Sequence, residues 1–284
     1  MSPQPFDIRD IIRTEYQRCI LDGVYFMKKY CYIQHPKRGK ILFELYPFQE
    51  RTLKELIEND YNIILKSRQL GISTLVAGYA LWMCMFQNDK NILVIATKQE
   101  VAKNLVLKVR EMYKNLPVWL RKNAQTVEDN KLSMRFANGS QIKAVASSPD
   151  AGRSESLSLL IIDEAAFIDD IDEIWASAQQ TLATGGKCIA LSTPNGTGNW
   201  FHKQWMNAES KGTGIRKFHT IRLPWTVHPE RNQEWRDQQD ELLGKKLAGQ
   251  ECDCLDGSGL IKILDIHTNK IENITIQELY ERCY

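Results

Sequence analysis

The sequence predicts an α/β fold built on a mostly parallel central sheet. Three observations carry that reading. From Tyr61 onward, short apolar runs (Asn62–Leu65, Asn91–Ala96, Leu157–Ile162, Lys187–Leu191) alternate with helical windows at Ser73–Phe86, Lys98–Asn115 and Ile171–Leu182. Past their first one or two residues the runs are apolar, without the alternation of a half-wet strand, which is the pattern of strands buried on both faces. A helix separates successive runs, as parallel crossovers require.

Around this core the other elements read in order. The first sixty or so residues are helical, Ile8–Met27 and then Phe48–Glu58, broken by the basic loop His35-Pro36-Lys37-Arg38-Gly39-Lys40. Leu132–Phe136 and Gln141–Ala146 flank Asn138-Gly139, a strong hairpin signal placed before the third core strand. A strand at Ile215–Leu223 and a helix at Pro229–Leu243 follow the core. After Gly249 the texture changes: residues 254–284 carry 3 basic and 5 acidic side chains, net −2, whereas residues 1–253 carry 34 and 30, net +4. The expected division is a helical N-terminal extension (1–40), the α/β core (41–222), a lid or linker (223–253) and a short β/helix tail (254–284).

Composition excludes several classes. With 43% hydrophobic and 25% charged residues the chain is neither disordered nor fibrous. The balance of 37 basic against 35 acidic side chains leaves no charged tail that would by itself name a partner. Val76–Phe86, the longest near-apolar stretch, is far short of the roughly 20 residues that cross a bilayer, so no membrane partner is expected. The start Met1-Ser2-Pro3-Gln4-Pro5 lacks the apolar core of a secretion signal. Seven cysteines, an odd number and mostly far apart, suit reduced thiols in a cytosol and no disulfide framework.

A phosphate-binding loop needs a strand, a tight turn whose N–H groups point inward, and a helix whose N-terminus faces the anion. Asn62–Leu65 followed by Lys66-Ser67-Arg68-Gln69-Leu70-Gly71-Ile72-Ser73-Thr74 supplies that order. Against the Walker A pattern G-x-x-x-x-G-K-[ST], Gly71 is the second glycine and Ser73 the hydroxyl for Mg²⁺. Lys66 stands in place of the first glycine, and Ile72 in place of the lysine. A cation is still required near the β- and γ-phosphates of ATP, and Lys66 and Arg68 are the two candidates inside the loop. Ser67, Gln69, Gly71 and Thr74 complete the candidate nucleotide-binding set.

Leu159-Leu160-Ile161-Ile162-Asp163-Glu164 is an apolar strand ending in two carboxylates, a Walker B pattern. It puts both acids at the sheet edge where the loop also opens. Asp163 suits Mg²⁺ through water, and Glu164 suits polarisation of an attacking water. Ser192-Thr193-Pro194 caps the strand Lys187–Leu191, which puts the hydroxyls of Ser192 and Thr193 where a γ-phosphate sensor lies; an ordinary Ser/Thr turn is the equal alternative. Gln49, in Tyr46-Pro47-Phe48-Gln49, carries a donor and an acceptor suited to an adenine edge, and a helix-start glutamine is its plainer reading. Arg153, in Ala151-Gly152-Arg153-Ser154, is a candidate arginine finger for a neighbour's triphosphate, against the plainer reading of a surface arginine.

Taken together and in order, these motifs resemble the ATPase motor of a tailed-phage large terminase. Ile95-Ala96-Thr97-Lys98-Gln99, Asp163-Glu164-Ala165-Ala166-Phe167-Ile168 and Leu191-Ser192-Thr193-Pro194-Asn195-Gly196 extend the likeness over roughly residues 40–253. The resemblance implies the catalytic-glutamate (RecA-like) P-loop topology, with the strand ending at Ser192 between the other two motif strands. It favours Lys66 over Arg68, since the family's loop lysine is sometimes displaced to the first position. It implies double-stranded DNA, portal protein and small terminase subunit as partners, a homo-oligomeric ring on the portal with Arg153 acting in trans, and work in the host cytoplasm. Family members continue into a nuclease domain of which nothing after Cys254 has the pattern, so DNA cleavage is not expected of this chain. DNA contact rests on the resemblance more than on charge; Lys37, Arg38 and Lys40, or Lys103, Lys108 and Arg110, are the basic clusters available, each also readable as solvated surface.

The tail is similar to something else. Cys254-Leu255-Asp256-Gly257-Ser258-Gly259-Leu260-Ile261-Lys262-Ile263 and the segments through Tyr280 resemble the N-terminal end of an intein. Cys254 would then be the nucleophile of the N-to-S acyl shift, with Cys252 the second candidate, and a complementary intein fragment would be a partner. A β-hairpin and helix native to the domain is the alternative. Two other readings stand beside the motor. A two-lobed helicase shares the Asp-Glu-Ala box, but only about sixty residues follow Leu223, fewer than the ~100–150 of a typical second lobe. A non-hydrolysing assembly module that binds portal or small terminase would explain the lost loop lysine at Ile72.

Overall fold

The computed structural model describes residues 7–148, 156–210, 217–254, 260–265, 270–275, 278 and 282. In chain order the elements are α1 (Ile8–Leu21), α2 (Gly23–Tyr30), β1 (Tyr32–His35), β2 (Gly39–Leu42), α3 (Pro47–Glu58), β3 (Tyr61–Lys66), α4 (Ile72–Phe86), β4 (Asn91–Ala96), α5 (Gln99–Asn115), α6 (Val118–Arg121), β5 (Thr126–Asp129), β6 (Ser133–Phe136), β7 (Gln141–Ala146) and β8 (Leu159–Asp163). There follow α7 (Ile171–Thr181), β9 (Lys187–Ser192), α8 (Trp200–Glu209), β10 (His219–Leu223), α9 (Gln233–Leu243), α10 (Lys245–Ala248), β11 (Leu260–Asp265) and β12 (Lys270–Thr275). An eight-stranded, mostly parallel sheet has the order β10-β3-β9-β8-β4-β7-β6-β5, with β9 between the two motif strands β3 and β8. The chain divides into two compact units.

The first unit comprises Met1–Asn62, Gly71–Glu164 and Ile168–Ala190. Here β4 pairs in parallel with both β7 and β8, Ala96 standing opposite Asp163. Every residue of β8 is buried, which is why that segment reads as an unbroken apolar run. Toward β5 the pairing turns antiparallel and β7 alternates, so that end of the sheet keeps one wet face. The β6–β7 turn closes on Asn138-Gly139, with Gly139 at φ +82°, a conformation that favours glycine.

Helix α4 is apolar around its whole circumference, and from Leu75 to Met85 all its residues are buried. The N-terminal helices cover part of it. The indole Nε1 of Trp82 donates to the carbonyl of Cys19 at 2.8 Å, and the ring of Phe26 meets Phe86 edge to face at 5.1 Å.

Two expectations change here. The helical stretch Ile8–Met27 is two helices, because Asp22 ends α1 and caps α2, its carboxylate accepting from Tyr25 N at 2.9 Å. The basic stretch 35–40 is the turn of a β1–β2 hairpin, in which the Nδ1 of His35 accepts from the amides of Lys37 and Arg38 at 3.1 Å.

The second unit comprises Ile63–Leu70, Ala165–Phe167 and Leu191–Tyr284. Its core gathers Trp200, Phe201, Trp205, Phe218, Ile221 and Leu223, with Trp200 edge-on to Phe218 at 6.1 Å. The expected strand Ile215–Leu223 begins at His219, residues 211–216 lying outside the described ones. The helix expected from Pro229 begins at Gln233, because the side chain of Asn232 caps it by accepting from Trp235 N at 2.9 Å. In the tail, β11 and β12 form an antiparallel hairpin pairing Leu260 with Thr275 through Asp265 with Lys270. No helix among the described residues is long and apolar enough to cross a membrane.

Candidate nucleotide-binding site

In the first unit, Gly71 is the N-cap of α4 at φ +73°, and the helix it opens presents its first N–H groups there, an arrangement that suits an anion. Ser73 and Thr74 lie half-buried in the first turn, while Ile72, at the position of the usual lysine, is buried. Gln49 is buried in the capping box of α3: its Oε1 accepts from Tyr46 N at 3.0 Å, and its Nε2 stands 2.8 Å from the point where a Cβ on Gly71 would be. The glutamine expected at an adenine edge is therefore built against the loop glycine.

At the end of β8, Asp163 is buried and its Oδ1 accepts from Glu164 N at 3.0 Å. Glu164 has φ +53°, uncommon for a residue with a Cβ and costing about 1–3 kcal/mol. The turn of the chain immediately after the buried aspartate sets the glutamate apart from the strand. A buried carboxylate and a serine hydroxyl are hard oxygen donors, the few that Mg²⁺ takes when substrate phosphates and waters fill its other positions. Among the described residues no group of three or more His, Cys, Asp and Glu gathers into an all-protein metal cage.

In the second unit, Lys66 closes β3 and is buried, and Ser67 is fully buried. The amide of Ser67 donates to Leu223 O, and that of Arg68 to Glu251 O, each at 2.8 Å. Both amides are thus turned to protein carbonyls. The Arg68 side chain is exposed and its Nε lies 3.4 Å from Glu251 Oε2. Gln69 adopts φ +58°. The guanidinium of Arg231 donates to Ser67 Oγ at 3.2 Å, Arg68 O at 3.0 Å and Gln69 O at 3.1 Å.

Also in this unit, Ser192 and Thr193 are buried, and Ser192 Oγ accepts from Ala166 N at 3.2 Å while Asn195 Nδ2 donates to Ala166 O at 3.0 Å. The serine and asparagine of the Ser-Thr-Pro-Asn motif therefore hold the chain two residues past Glu164. Arg236 clamps Asp253 with two bonds of 2.8 Å. Next to it, Cys254 is buried in the left-handed region at φ +50°, its Sγ donating to Leu223 O at 3.3 Å. Burial pushes its thiol up to about 12, against the lowering effect of Arg222 and Lys66.

A model of the N-terminal part of the T4-like-virus type of terminase large subunit matches residues 63–250, which include both the loop and the Asp163-Glu164 pair. The chain belongs to this large-terminase family. Its fold is that of solved terminase ATPase domains. The Thermus phage P74-26 large terminase ATPase domain superposes with TM-score 0.59 at 18% identity, covering 75% of this chain and 95% of that one. The HK97 bacteriophage large terminase gives 0.62 at 17%, over 87% of this chain and 56% of that one. The large terminase of a thermophilic bacteriophage, solved in complex with ADP, gives 0.57 at 12%, over 72% and 52%. The terminase chain thus spans about half the length of the two longer relatives.

Arg153 lies outside the described residues, so its expected role has no structural counterpart here. Of the basic clusters, Arg110 is bound to Asp129 and Asn130, Lys103 to Glu100 and Lys40 to Asn115, whereas Lys37 and Arg38 project from the exposed β1–β2 turn. Arg231, Glu251 and Arg236 escaped the sequence reading. None of the three stands in a motif of its own, and the loop that Arg231 reaches lies more than 160 positions upstream of it.

Proposed function

We propose that this terminase domain hydrolyses ATP to drive double-stranded DNA into a phage procapsid, working in the host cytoplasm as a ring on the portal with the small terminase subunit. The observation that carries the proposal is that one family-matched segment, residues 63–250, contains both the phosphate loop and the carboxylate pair. In this reading the loop Lys66–Thr74 takes the triphosphate. Lys66 is the better supported cation, being buried at the end of β3, while Arg68 faces outward beside Glu251. Ser73 and Asp163 would hold Mg²⁺, which when bound neutralises charge on the β- and γ-phosphates. Glu164 accepts the proton of the attacking water. Ser67, Gln69, Gly71 and Thr74 line the nucleotide, and Gln49 meets its adenine edge. Ser192 and Thr193 couple hydrolysis to movement, and Arg153 acts on a neighbour's nucleotide. Lys37 and Arg38 are the residues proposed to meet DNA phosphates.

The segment 223–253 is the lid or linker of this motor, and 254–284 the start of an intein. In the acyl shift, Cys254 Sγ would bond to the carbonyl carbon of Asp253, the Asp253–Cys254 amide would break, and the freed nitrogen would take up the proton. Titration with a fluorescent ATP analogue tests the loop: Lys66→Ala should weaken binding at least about tenfold, and Arg68→Ala less than about threefold. Equal binding by all three chains would count against it.

A further inference from the structure

We propose that Arg231 is a positioning residue of the phosphate loop, gripping it from behind so that two of its amides face the nucleotide. This rests on the reading of Lys66–Thr74 as a phosphate loop. The grip is specific. Nη2 donates to the carbonyls of Arg68 and Gln69, and Nη1 to the hydroxyl of Ser67. In a trans peptide the carbonyl and the N–H point to opposite sides, so holding the oxygens of Arg68 and Gln69 on the Arg231 side aims the amides of Gln69 and Leu70 the other way. In the chain they follow the amides of Ser67 and Arg68, which donate to Leu223 O and Glu251 O. With Gln69 at φ +58° they belong to the kind of concave run of N–H groups that receives an anion.

Arg231 is itself held for the task. Its guanidinium lies over the Trp235 ring at 4.4 Å, and that ring packs against Trp225 at 6.0 Å. A planar fork reaches three acceptors in fixed directions, which an ammonium on a flexible stem does not reproduce. Because the fork faces the carbonyl side, Arg231 adds positive potential behind the loop without touching phosphate. The residue sits in the turn just before α9, within the segment 223–253, so movement of that segment is linked to the geometry of the loop.

The test uses the full chain, Arg231→Ala and Arg231→Lys, with dissociation constants for fluorescent ATP and ADP analogues in the presence of Mg²⁺. Folding is checked by near-ultraviolet circular dichroism. Arg231→Ala should bind both nucleotides at least about tenfold more weakly, Arg231→Lys should recover less than half of that factor, and millimolar methylguanidinium should restore binding to Arg231→Ala alone. If Arg231→Ala does not fold, Arg231→Lys supplies the comparison. Variants that bind like the unaltered chain overturn the role of Arg231. An unaltered chain that binds neither nucleotide overturns the phosphate-loop reading beneath it.

Discussion

The side-chain nitrogen of Gln49 stands 2.8 Å from the point that a Cβ on Gly71 would occupy. Gly71→Ala therefore meets two obstacles, a left-handed backbone at φ +73° and a buried amide already committed to the cap of α3. The expected cost is about 1–2 kcal/mol of stability, with ATP turnover falling at least about tenfold. Thermal melting and steady-state turnover check both; an unchanged rate would sink the claim that this glycine shapes the loop.

Glu15 provides a pH test of the N-terminal helices. Burial opposes its charge, but bonds from Lys29 Nζ at 2.7 Å, Tyr25 OH at 2.5 Å and Tyr30 OH at 2.7 Å outweigh it and hold the carboxyl at about 2. A folded-state value below the unfolded one of 4.5 means stability that is fully present above about 4.5 and lost as the pH falls toward 2. Glu15→Gln should be less stable than the unaltered chain by about 2 kcal/mol at pH 7, and the gap should close below pH 4. Urea midpoints across that range decide it, and a gap independent of pH would contradict it.

Much of this was legible in the sequence, for a physical reason. Buried parallel strands must be apolar on both faces, so Asn91–Ala96 has in the structure the bounds its composition suggests, and β3, β8 and β9 differ only at their ends. The carboxylate pair was legible because it ends such a run. Periodicity failed where a cap decides: Asp22 splits a continuous helical pattern, and His35 folds a basic stretch into a turn. It failed again where a side chain reads main chain, as Arg231 does at Arg68 and Gln69, because carbonyl oxygens carry no sequence signal.

The junction of lid and tail makes its own prediction. With its thiol pushed up to about 12 and donated to Leu223 O, Cys254 should resist alkylation at pH 8 in the folded chain and react on unfolding. If the tail begins an intein, an added small thiol should, over long incubation, release residues 254–284 as a separate peptide, and Cys254→Ala should abolish that. Intact mass reads both. A peptide released equally from Cys254→Ala would exclude the acyl shift.

Arg236 holds Asp253 with a two-bond fork and also bonds Asp240. Its replacement by alanine leaves both acids without that partner and should cost about 2–4 kcal/mol. Arg236→Lys should recover only part, since one ammonium cannot make the fork. Calorimetric melting of the two variants is the check; a loss below about 0.5 kcal/mol would assign the clamp no weight.

The proposed hydrolysis of ATP requires Glu164 as its base. Its most direct test is Glu164→Gln, measured for MgATP binding and for turnover in the presence of DNA and portal. Binding should stay within about threefold of the unaltered chain while turnover falls at least about a hundredfold, the loss of a positioned base. Unreduced turnover, or turnover and binding lost in equal measure, would contradict it.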